Sequence, residues 1–410
     1  MNVTRRTSWV VLVVGAVAFV VLAWWLIPWH PYPGGPLHLP DARDVFTAEE
    51  LKRMLAYSGT ARWISRSSLV VSLAVACVLG FTPLGRRLVA RLRGPWLVRV
   101  VLAVAAVTFV GWVATLPFGV ALHRLQLRYG LSRQAWASWV GDSLLNQAVG
   151  ILTTSLALLA LFACIRLGRR WWPALAAGLV AALVVVGSFV YPVAIEPLFN
   201  DFEPLPHGQL RSEVMAIADR EGVRLDDVLV VDASRRTTSL NAYVTGFGST
   251  RRVVLYDNLV DSQRGAVAHG AVLSVVAHEL AHAKHDDVLV GTVIGAAGAV
   301  AGVGLLGLVL SYRRQDRYAT PEAIPMLLAV FALASVLAMP VENGLSRQVE
   351  TRADVDALRA TGDLESFTRL QHSLGVRSLS DPSPQAWSQW WFGSHPTTLQ
   401  RIAIAHRVLD

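Results

Sequence analysis

The segment His278–His282 reads HELAH, with two histidines four residues apart and a glutamate directly after the first of them. On a helix, side chains at i and i+4 lie on one face, so both imidazoles can bind the same metal ion. Zinc suits imidazole ligands and lowers the pKa of a bound water toward neutrality, which gives a nucleophile for a peptide carbonyl. Glu279 is placed to take up the proton as a general base. The motif therefore predicts a zinc-dependent hydrolytic site.

A five-residue HExxH match also arises by chance, so its surroundings matter. Here it lies in the stretch GAVLSVVAHELAHAKHDD, in which apolar and small residues recur as on a buried helix. The alternative is a pair of histidines packed structurally beside a surface glutamate. Burying these polar groups in an apolar helix is costly unless they serve a purpose. The pattern therefore favours the metal site.

The third ligand of such a site must come from elsewhere in the chain. A catalytic zinc typically has three protein ligands and one open position. His285 lies seven residues after His278, about 10 Å along a helix, which makes a shared metal hard to reach. The extended pattern HExxHxxGxxH is absent, since Lys284 and His285 stand at its glycine turn and Val288 replaces its third histidine. We therefore expect His285 to be a polar neighbour of the site.

Glu350 is the expected third ligand. The two apolar runs after the motif predict a membrane hairpin that turns near Arg317, with 35 residues from His282 to Arg317 and 33 from Arg317 to Glu350. Antiparallel helices of such similar length return Glu350 to the level of His282, whereas Glu342 would lie two turns deeper.

Asp354 follows Glu350 by four residues in the stretch SRQVETRADVDAL and shares its helix face. A carboxylate at this place can accept the free N–H of a ligating histidine and fix its tautomer. Taken alone, the stretch is also typical of a solvated helix with salt bridges from Arg347 and Arg352. Its combination with HExxH favours the metal interpretation.

The composition indicates a membrane protein. Of 410 residues, 53% are hydrophobic and 16% are charged, whereas about 25% are charged in an ordinary soluble domain. Seven runs are apolar enough to span a bilayer at about 20 residues each. They lie near 8–27, 68–83, 97–121, 144–165, 173–194, 288–311 and 323–341. The first lacks a cleavage signal, so we expect an uncleaved anchor.

The net charge of +8 comes from arginines in short stretches between these runs. This placement fits membrane topology, so we expect the lipid bilayer as a partner and no nucleic acid. The two cysteines, Cys77 and Cys164, lie inside apolar runs, and no CxxC motif supports a disulfide framework or a cysteine zinc site.

We therefore predict a mostly α-helical polytopic membrane protein with a small α+β insertion. The expected organisation is a five-helix transmembrane region with a polar loop at 28–67 (1–195), an α+β insertion ending in the HExxH helix (196–287), a transmembrane hairpin (288–341), and a C-terminal helical segment (342–410). Within the insertion, the patterns predict a helix over 210–223, strands over 227–234, 240–248 and 251–260, and a final helix over 270–287.

Three motifs in order, HELAH, SRQVETRAD and SHPTTLQRI, resemble the type I CAAX prenyl protease family of integral-membrane zinc endopeptidases. The segments Ile195–Leu210 and Asn241–Val260 are similar to two further family segments. The resemblance runs from about residue 190 to the C-terminus, while residues 1–190 match mainly in the number of spans. An Ala-, Val- and Arg-rich composition suggests a bacterial member.

The resemblance implies seven transmembrane helices that enclose a chamber, with one Zn²⁺ per chain facing its interior. The ligands it implies are His278, His282 and Glu350, with Glu279 as the general base. It also implies that Asn241, His395 and Arg401 line the site and help to stabilise substrate or the tetrahedral intermediate. From the residues alone, SHPTTLQRI also reads as a capped terminal helix, and both interpretations can hold at once.

The stretch NAYVTGF is the candidate substrate strand. An extended peptide can add to an exposed strand edge, held by main-chain hydrogen bonds across the metal. We therefore expect Asn241, Ala242 and Tyr243 to contact substrate.

The expected substrate is a peptide or protein, including one with a hydrophobic or lipidated C-terminus. No residue pattern here recognises a prenyl group, so broad quality-control proteolysis of membrane proteins is an alternative. A transporter or receptor with a structural metal, or an inactive peptide-binding membrane protein, is a further alternative. Intact Glu279 argues against a purely structural metal site, because such a site needs no base.

We expect a multi-pass protein of the cell membrane. The basic loops share one side, and the positive-inside rule makes that side cytoplasmic and turns the zinc site outward. The family resemblance implies a site facing the cytosol, so the orientation is left open, as is the oligomeric state.

Overall fold

The computed structural model describes residues 3–190, 200–238, 240–245, 251–260, 269–311 and 319–409. The helices are α1 (Val3–Leu26), α2 (Ala42–Val45), α3 (Ala48–Phe81), α4 (Pro83–Ala90), α5 (Trp96–Tyr129), α6 (Trp136–Gly168), α7 (Trp172–Val190), α8 (Gln209–Arg220), α9 (Asp257–Val260), α10 (His269–Lys284), α11 (Asp287–Ser311), α12 (Ile324–Thr361), α13 (Leu364–Ser378), α14 (Ala386–Phe392) and α15 (Thr398–Leu409). The strands are β1 (Phe202–Pro204), β2 (Asp227–Val231), β3 (Ala242–Thr245) and β4 (Arg252–Tyr256).

Seven of the described helices are long and apolar enough to cross a membrane, namely α1, α3, α5, α6, α7, α11 and α12. This confirms the predicted fold class. They pack in series, with α12 on α3, α3 on α5, α5 on α6, α6 on α7 and α7 on α11, and with α1 against α11. Although α3 has neighbours on two sides, only Met54 and Ser58 of its 34 residues are buried. Its other side chains are partly or fully exposed.

The structure corrects the polar loop expected over 28–67, because α3 begins at Ala48. Thr47 caps it in a capping box, in which Glu50 N donates to Thr47 Oγ1 at 3.3 Å and Thr47 N donates to Glu50 Oε2 at 2.8 Å. A helix of 34 residues is about 51 Å long, whereas the hydrocarbon core is about 30 Å thick. The polar half of α3 therefore extends the span beyond the membrane, where Arg62 pairs with Asp381 at 2.6 Å.

The expected boundary between 288–341 and 342–410 is also corrected, because α12 runs unbroken from Ile324 to Thr361 through Pro340. A proline inside a membrane helix removes one hydrogen bond, and neighbouring helices make this tolerable. One helix thus begins as a membrane span and ends as the polar segment that carries Glu350. The predicted turn near Arg317 and the start of the segment from Ile195 lie outside the described residues.

The insertion contains a four-stranded sheet of order β1-β2-β4-β3. The strand β4 pairs parallel with β2 and antiparallel with β3, which leaves β3 at one edge of the described sheet. The strands predicted over 227–234 and 251–260 are present in shorter form, and the strand predicted over 240–248 is present as β3, with its last three residues outside the described ranges. Strand β1 was not predicted, since it has three residues and ends in a proline. Helix α10 packs on this sheet and also on α12, and its Leu280 lies in the core with Val253 and Leu255.

The loop between α5 and α6 fixes the start of the edge strand. Ser132 forms a β-bridge with Thr237, and Ser132 Oγ donates to the carbonyl of Arg236 at 2.8 Å. Arg236 Nε in turn donates to Asp142 Oδ2, on α6, at 2.8 Å. The segment that leads into β3 is therefore tied to two membrane helices.

We predict that the Asp142–Arg236 pair contributes measurably to this attachment, because both side chains are about three quarters buried, with Asp142 27% and Arg236 23% exposed. In a double-mutant cycle with Asp142→Asn and Arg236→Gln, the coupling free energy of unfolding should be about 1 kcal/mol. The pair Arg252–Asp226, 3.1 Å apart with side chains 48% and 49% exposed, is the control and should couple less. Equal coupling in both cycles would show that the loop attachment does not depend on this ion pair.

Candidate metal centre

Helices α10 and α12 bring three predicted ligands together. Nε2 of His278 and Nε2 of His282 are 3.2 Å apart. Glu350 Oε2 lies 3.3 Å from His278 Nε2, and Glu350 Oε1 lies 3.7 Å from His282 Nε2. Two imidazoles from one helix and a carboxylate from the other therefore converge on one point.

The arrangement fits a metal ion. Suitable ligand atoms of the three residues all lie within 4.8 Å of one another. Nitrogen and oxygen atoms about 2.0–2.1 Å from a tetrahedral zinc are about 3.3 Å apart, close to the separations found here. Glu350 Oε2 is buried, and no described residue donates a hydrogen bond of good geometry to it. A buried carboxylate oxygen in this position is suited to bind a cation.

Each of the two predicted histidine ligands has a carboxylate at its other ring nitrogen. Asp354 Oδ1 lies 2.9 Å from His278 Nδ1, and Asp287 Oδ2 lies 2.9 Å from His282 Nδ1. A carboxylate at Nδ1 favours a proton on that nitrogen, which leaves the Nε2 lone pair for a metal. The geometry thus selects the tautomer that metal binding requires.

The two carboxylates are themselves held by arginines. Asp354 is fully buried, and Arg401 bonds both of its oxygens, with Arg401 Nε donating to Oδ2 at 2.7 Å. Arg352 Nη2 pairs with one oxygen of Asp287, Oδ1. Since a buried carboxylate without a partner is costly, these arginines keep both carboxylates charged and in place.

The surroundings shift the pKa values on α10. Burial raises the pKa of the Glu279 carboxyl, and the charges of His278 and His282 oppose that shift. Burial alone would lower the pKa of His278, but the adjacent carboxylates of Asp354 and Glu350 raise it to about 10. The neighbouring carboxylates therefore dominate the electrostatics at His278.

A cavity of about 360 Å³ opens beside the three ligands. Its walls include His278, Glu279, Glu350 and His395, and also Tyr243 and Val244 from the edge strand. His395 Nε2 lies 3.2 Å from Glu350 Oε2, and its side chain is 56% exposed. A peptide in this cavity would therefore meet the ligands, a carboxyl group, an imidazole and a strand edge at once.

The remaining predicted residues lie around this cavity. Asn241 directly precedes β3 with an exposed side chain, and Ala242 is buried in the core of the insertion. Arg401 faces Asp354 and is not among the described residues that line the cavity, which changes the role expected for it. His285 Nε2 pairs with Asp356 Oδ2 at 2.6 Å and does not belong to the ligand group.

Sequence reasoning missed Asp287, which it assigned to the membrane boundary. The chain leaves α10 through Asp286, whose φ is 53°, and α11 begins at Asp287. This break turns Asp287 back toward His282. The spacing of five residues between His282 and Asp287 did not indicate their contact, because residues five apart on one continuous helix do not share a face.

The features described here are those of a membrane metalloprotease. The chain belongs to Peptidase family M48, whose family model matches residues 204–408. A second family model, described as "CAAX prenyl protease N-terminal, five membrane helices", matches residues 37–201. The resemblance noted in the sequence is thereby confirmed.

Two relatives and one solved structure illustrate the similarity. The chain is 29% identical over 311 residues to "Uncharacterized metalloprotease YhfN" of Bacillus subtilis, covering 72% of this chain and 70% of that protein. It is 26% identical over 301 residues to "CAAX prenyl protease 1 homolog" of Oryza sativa subsp. japonica, covering 71% and 69%. The structure described as "Crystal Structure of S. mikatae Ste24p" matches with a TM-score of 0.77 at 19% identity, over 97% of this chain and 99% of that one. At this identity the structural likeness shows the shared fold.

The ligand assignment predicts how metal binding responds to substitution. The full-length protein should bind one divalent metal ion per chain, and Glu350→Gln should weaken binding by at least about 100-fold, because it removes a charged ligand. The matched control is His285→Gln, which should keep the affinity of the unmodified protein. Elemental analysis and chelator competition measure both. Loss of metal in His285→Gln together with retention in Glu350→Gln would contradict the assignment.

Proposed function

We propose that this protein is a zinc-dependent membrane endopeptidase that hydrolyses peptide bonds with Glu279 as the general base. The observation that carries the proposal is the convergence of His278, His282 and Glu350 at one cavity that Glu279 also lines. Two imidazoles and one carboxylate, with room for a further ligand, form a ligand set typical of catalytic zinc in proteases.

Zinc held by these three residues would polarise the scissile carbonyl and lower the pKa of a water molecule. Glu279 then takes the proton of the attacking water and passes it to the leaving amine. Its raised pKa suits this task, since a carboxylate must both accept and release a proton within one cycle.

His395 is placed to bind the negative charge that develops on the carbonyl oxygen. Its Nε2 lies 3.2 Å from Glu350 Oε2, beside the point where the ligands converge. Ser394 Oγ lies 2.9 Å from its Nδ1 and can orient the ring. A fixed donor at a developing oxyanion lowers the barrier, because it requires no reorganisation during the reaction.

Arg401 was expected to contact substrate, and its position supports a different role. Its guanidinium engages both oxygens of Asp354, which in turn faces His278 Nδ1. We propose that Arg401 positions the ligand His278 through Asp354 and does not itself touch the reacting atoms.

The edge strand β3 is our proposed substrate-binding strand. The carbonyl of Asn241 accepts from Tyr256 N at 3.1 Å, so Asn241 is in a hydrogen-bonded pair with β4. In an antiparallel ladder such pairs alternate, so Tyr243 also faces β4, while Ala242 and Val244 direct their N–H and C=O groups to the open edge. An extended peptide could pair with those two residues and lie across the metal ligands.

The proposed substrate class is a polypeptide with a hydrophobic segment, drawn from the membrane around the seven apolar helices. Cleavage near a lipidated C-terminus, which the name of the rice relative indicates for that protein, and broader cleavage of membrane proteins remain two alternatives. Identification of peptides trapped on an inactive variant in native membranes would distinguish them.

The general-base assignment predicts that Glu279→Gln lowers kcat on a fluorogenic peptide by about 10²- to 10⁴-fold. The metal content should stay at one ion per chain, because Glu279 is not a ligand. The matched control is Glu342→Gln, an exposed glutamate on α12, which should keep full activity. Turnover by Glu279→Gln equal to that of the unmodified protein would rule out this mechanism.

The edge-strand assignment predicts that Val244→Pro lowers kcat/KM by about tenfold, because proline removes an N–H that would bond the substrate main chain. Metal content should not change. Val244→Ala keeps the N–H and should retain most of the activity, which separates the backbone effect from loss of the side chain. Normal kcat/KM in Val244→Pro would exclude pairing of substrate with this edge.

A further inference from the structure

A second cavity, of about 350 Å³, lies between the segment that follows α1 and the helices α12 and α15. It shares no lining residue with the cavity at the metal ligands. Its polar and aromatic walls include Trp29, His30, Tyr32, Arg347, Gln348 and Gln400. No aspartate or glutamate is among the described residues that line it. Two basic side chains, Arg347 and His30, do line it.

Arg347 is the fixed positive charge of this cavity. Its Nη1 donates to the carbonyls of Gln389, at 3.2 Å, and Gly393. Within the described ranges, no residue accepts from its Nε or Nη2, and no carboxylate forms an ion pair with it. In contrast, an aspartate forms an ion pair with each of three other arginines, Arg62, Arg352 and Arg401. The Arg347 guanidinium is thus anchored by one nitrogen and presents uncompensated charge to the cavity.

The neighbouring groups add donors. The amide oxygen of Gln400 accepts from Thr397 N at 2.9 Å in the cap of α15, which fixes the amide and leaves its NH₂ group as the free end. His30 and Tyr32, whose imidazole and phenolic hydroxyl can donate hydrogen bonds, line the same cavity. A guanidinium with free N–H groups, surrounded by donors and without a counter-ion, is suited to bind an oxyanion.

The place of the cavity favours a lipid as the source of that anion. Trp29 is part of its wall and follows the end of the membrane helix α1, where Trp24 and Trp25 are each 78% exposed. Tryptophans concentrate at the level of lipid headgroups, and basic cavities at that level bind anionic headgroups. We propose that this cavity binds the phosphate group of an anionic phospholipid from the adjoining bilayer surface.

Binding can be measured with the full-length protein in a neutral detergent. Dihexanoyl phosphatidylglycerol should raise the Tm and appear as a bound adduct in native mass spectrometry. It should bind at least about fivefold more tightly than dihexanoyl phosphatidylcholine, whose cationic choline would face Arg347 and His30. Equal affinity for the two lipids would overturn the proposal.

The decisive variant is Gln348→Glu, which places a carboxylate in the cavity beside Arg347 without removing the hydrogen bonds that Arg347 makes to Gln389 and Gly393. It should weaken phosphatidylglycerol binding at least about tenfold. Gln385→Glu makes the same change outside the cavity and should leave the affinity unaltered. His30→Ala, at an exposed loop position, should weaken binding less. Undiminished binding by Gln348→Glu would refute the assignment.

Two competitors test the source of the anion. If inorganic phosphate binds as tightly as phosphatidylglycerol, the cavity takes a free anion and the lipid assignment is wrong. If a peptide with a free C-terminal carboxylate binds while phosphatidylglycerol does not, the cavity is a peptide subsite and the proposal likewise fails. The Tm and native mass spectrometry measurements do not require peptidase activity, so their results do not depend on the function proposed above.

Discussion

The packing of α10 against α12 places a series of charges inside the protein, and the rest of the site depends on it. Glu350 faces His278, His278 faces Asp354, and Asp354 faces Arg401. Each group is costly to bury alone and acceptable only beside the next. The series therefore fixes the relative position of three helices, α10, α12 and α15, and this sets the geometry of the ligands.

The same contact couples the site to the membrane. Helix α12 is a membrane span over its first half and carries Glu350 and Asp354 in its second. The sheet is attached as well, because Arg236 reaches Asp142 on α6 just ahead of β3. The predicted metal ligands and the candidate substrate strand are thus both attached to elements anchored in the bilayer.

The sequence predicted those site residues whose spacing along a helix shows that they lie on one face or at one level. The i, i+4 pairs His278/His282 and Glu350/Asp354 could be recognised from helix geometry, and the near-equal lengths on either side of Arg317 brought Glu350 to the histidines. Asp287 could not be recognised, because its role depends on a break at Asp286 that no local signal marks. The contact of Arg401 with Asp354 likewise arises from tertiary packing between residues 47 positions apart.

The central claim, that His278, His282 and Glu350 hold one catalytic zinc, is tested most directly by anomalous diffraction at the zinc edge from crystals of the metal-loaded protein. We predict a single strong peak per chain, about 2.0–2.2 Å from Nε2 of both histidines and from a carboxylate oxygen of Glu350. A peak coordinated by His285, or no peak between α10 and α12, would contradict the account.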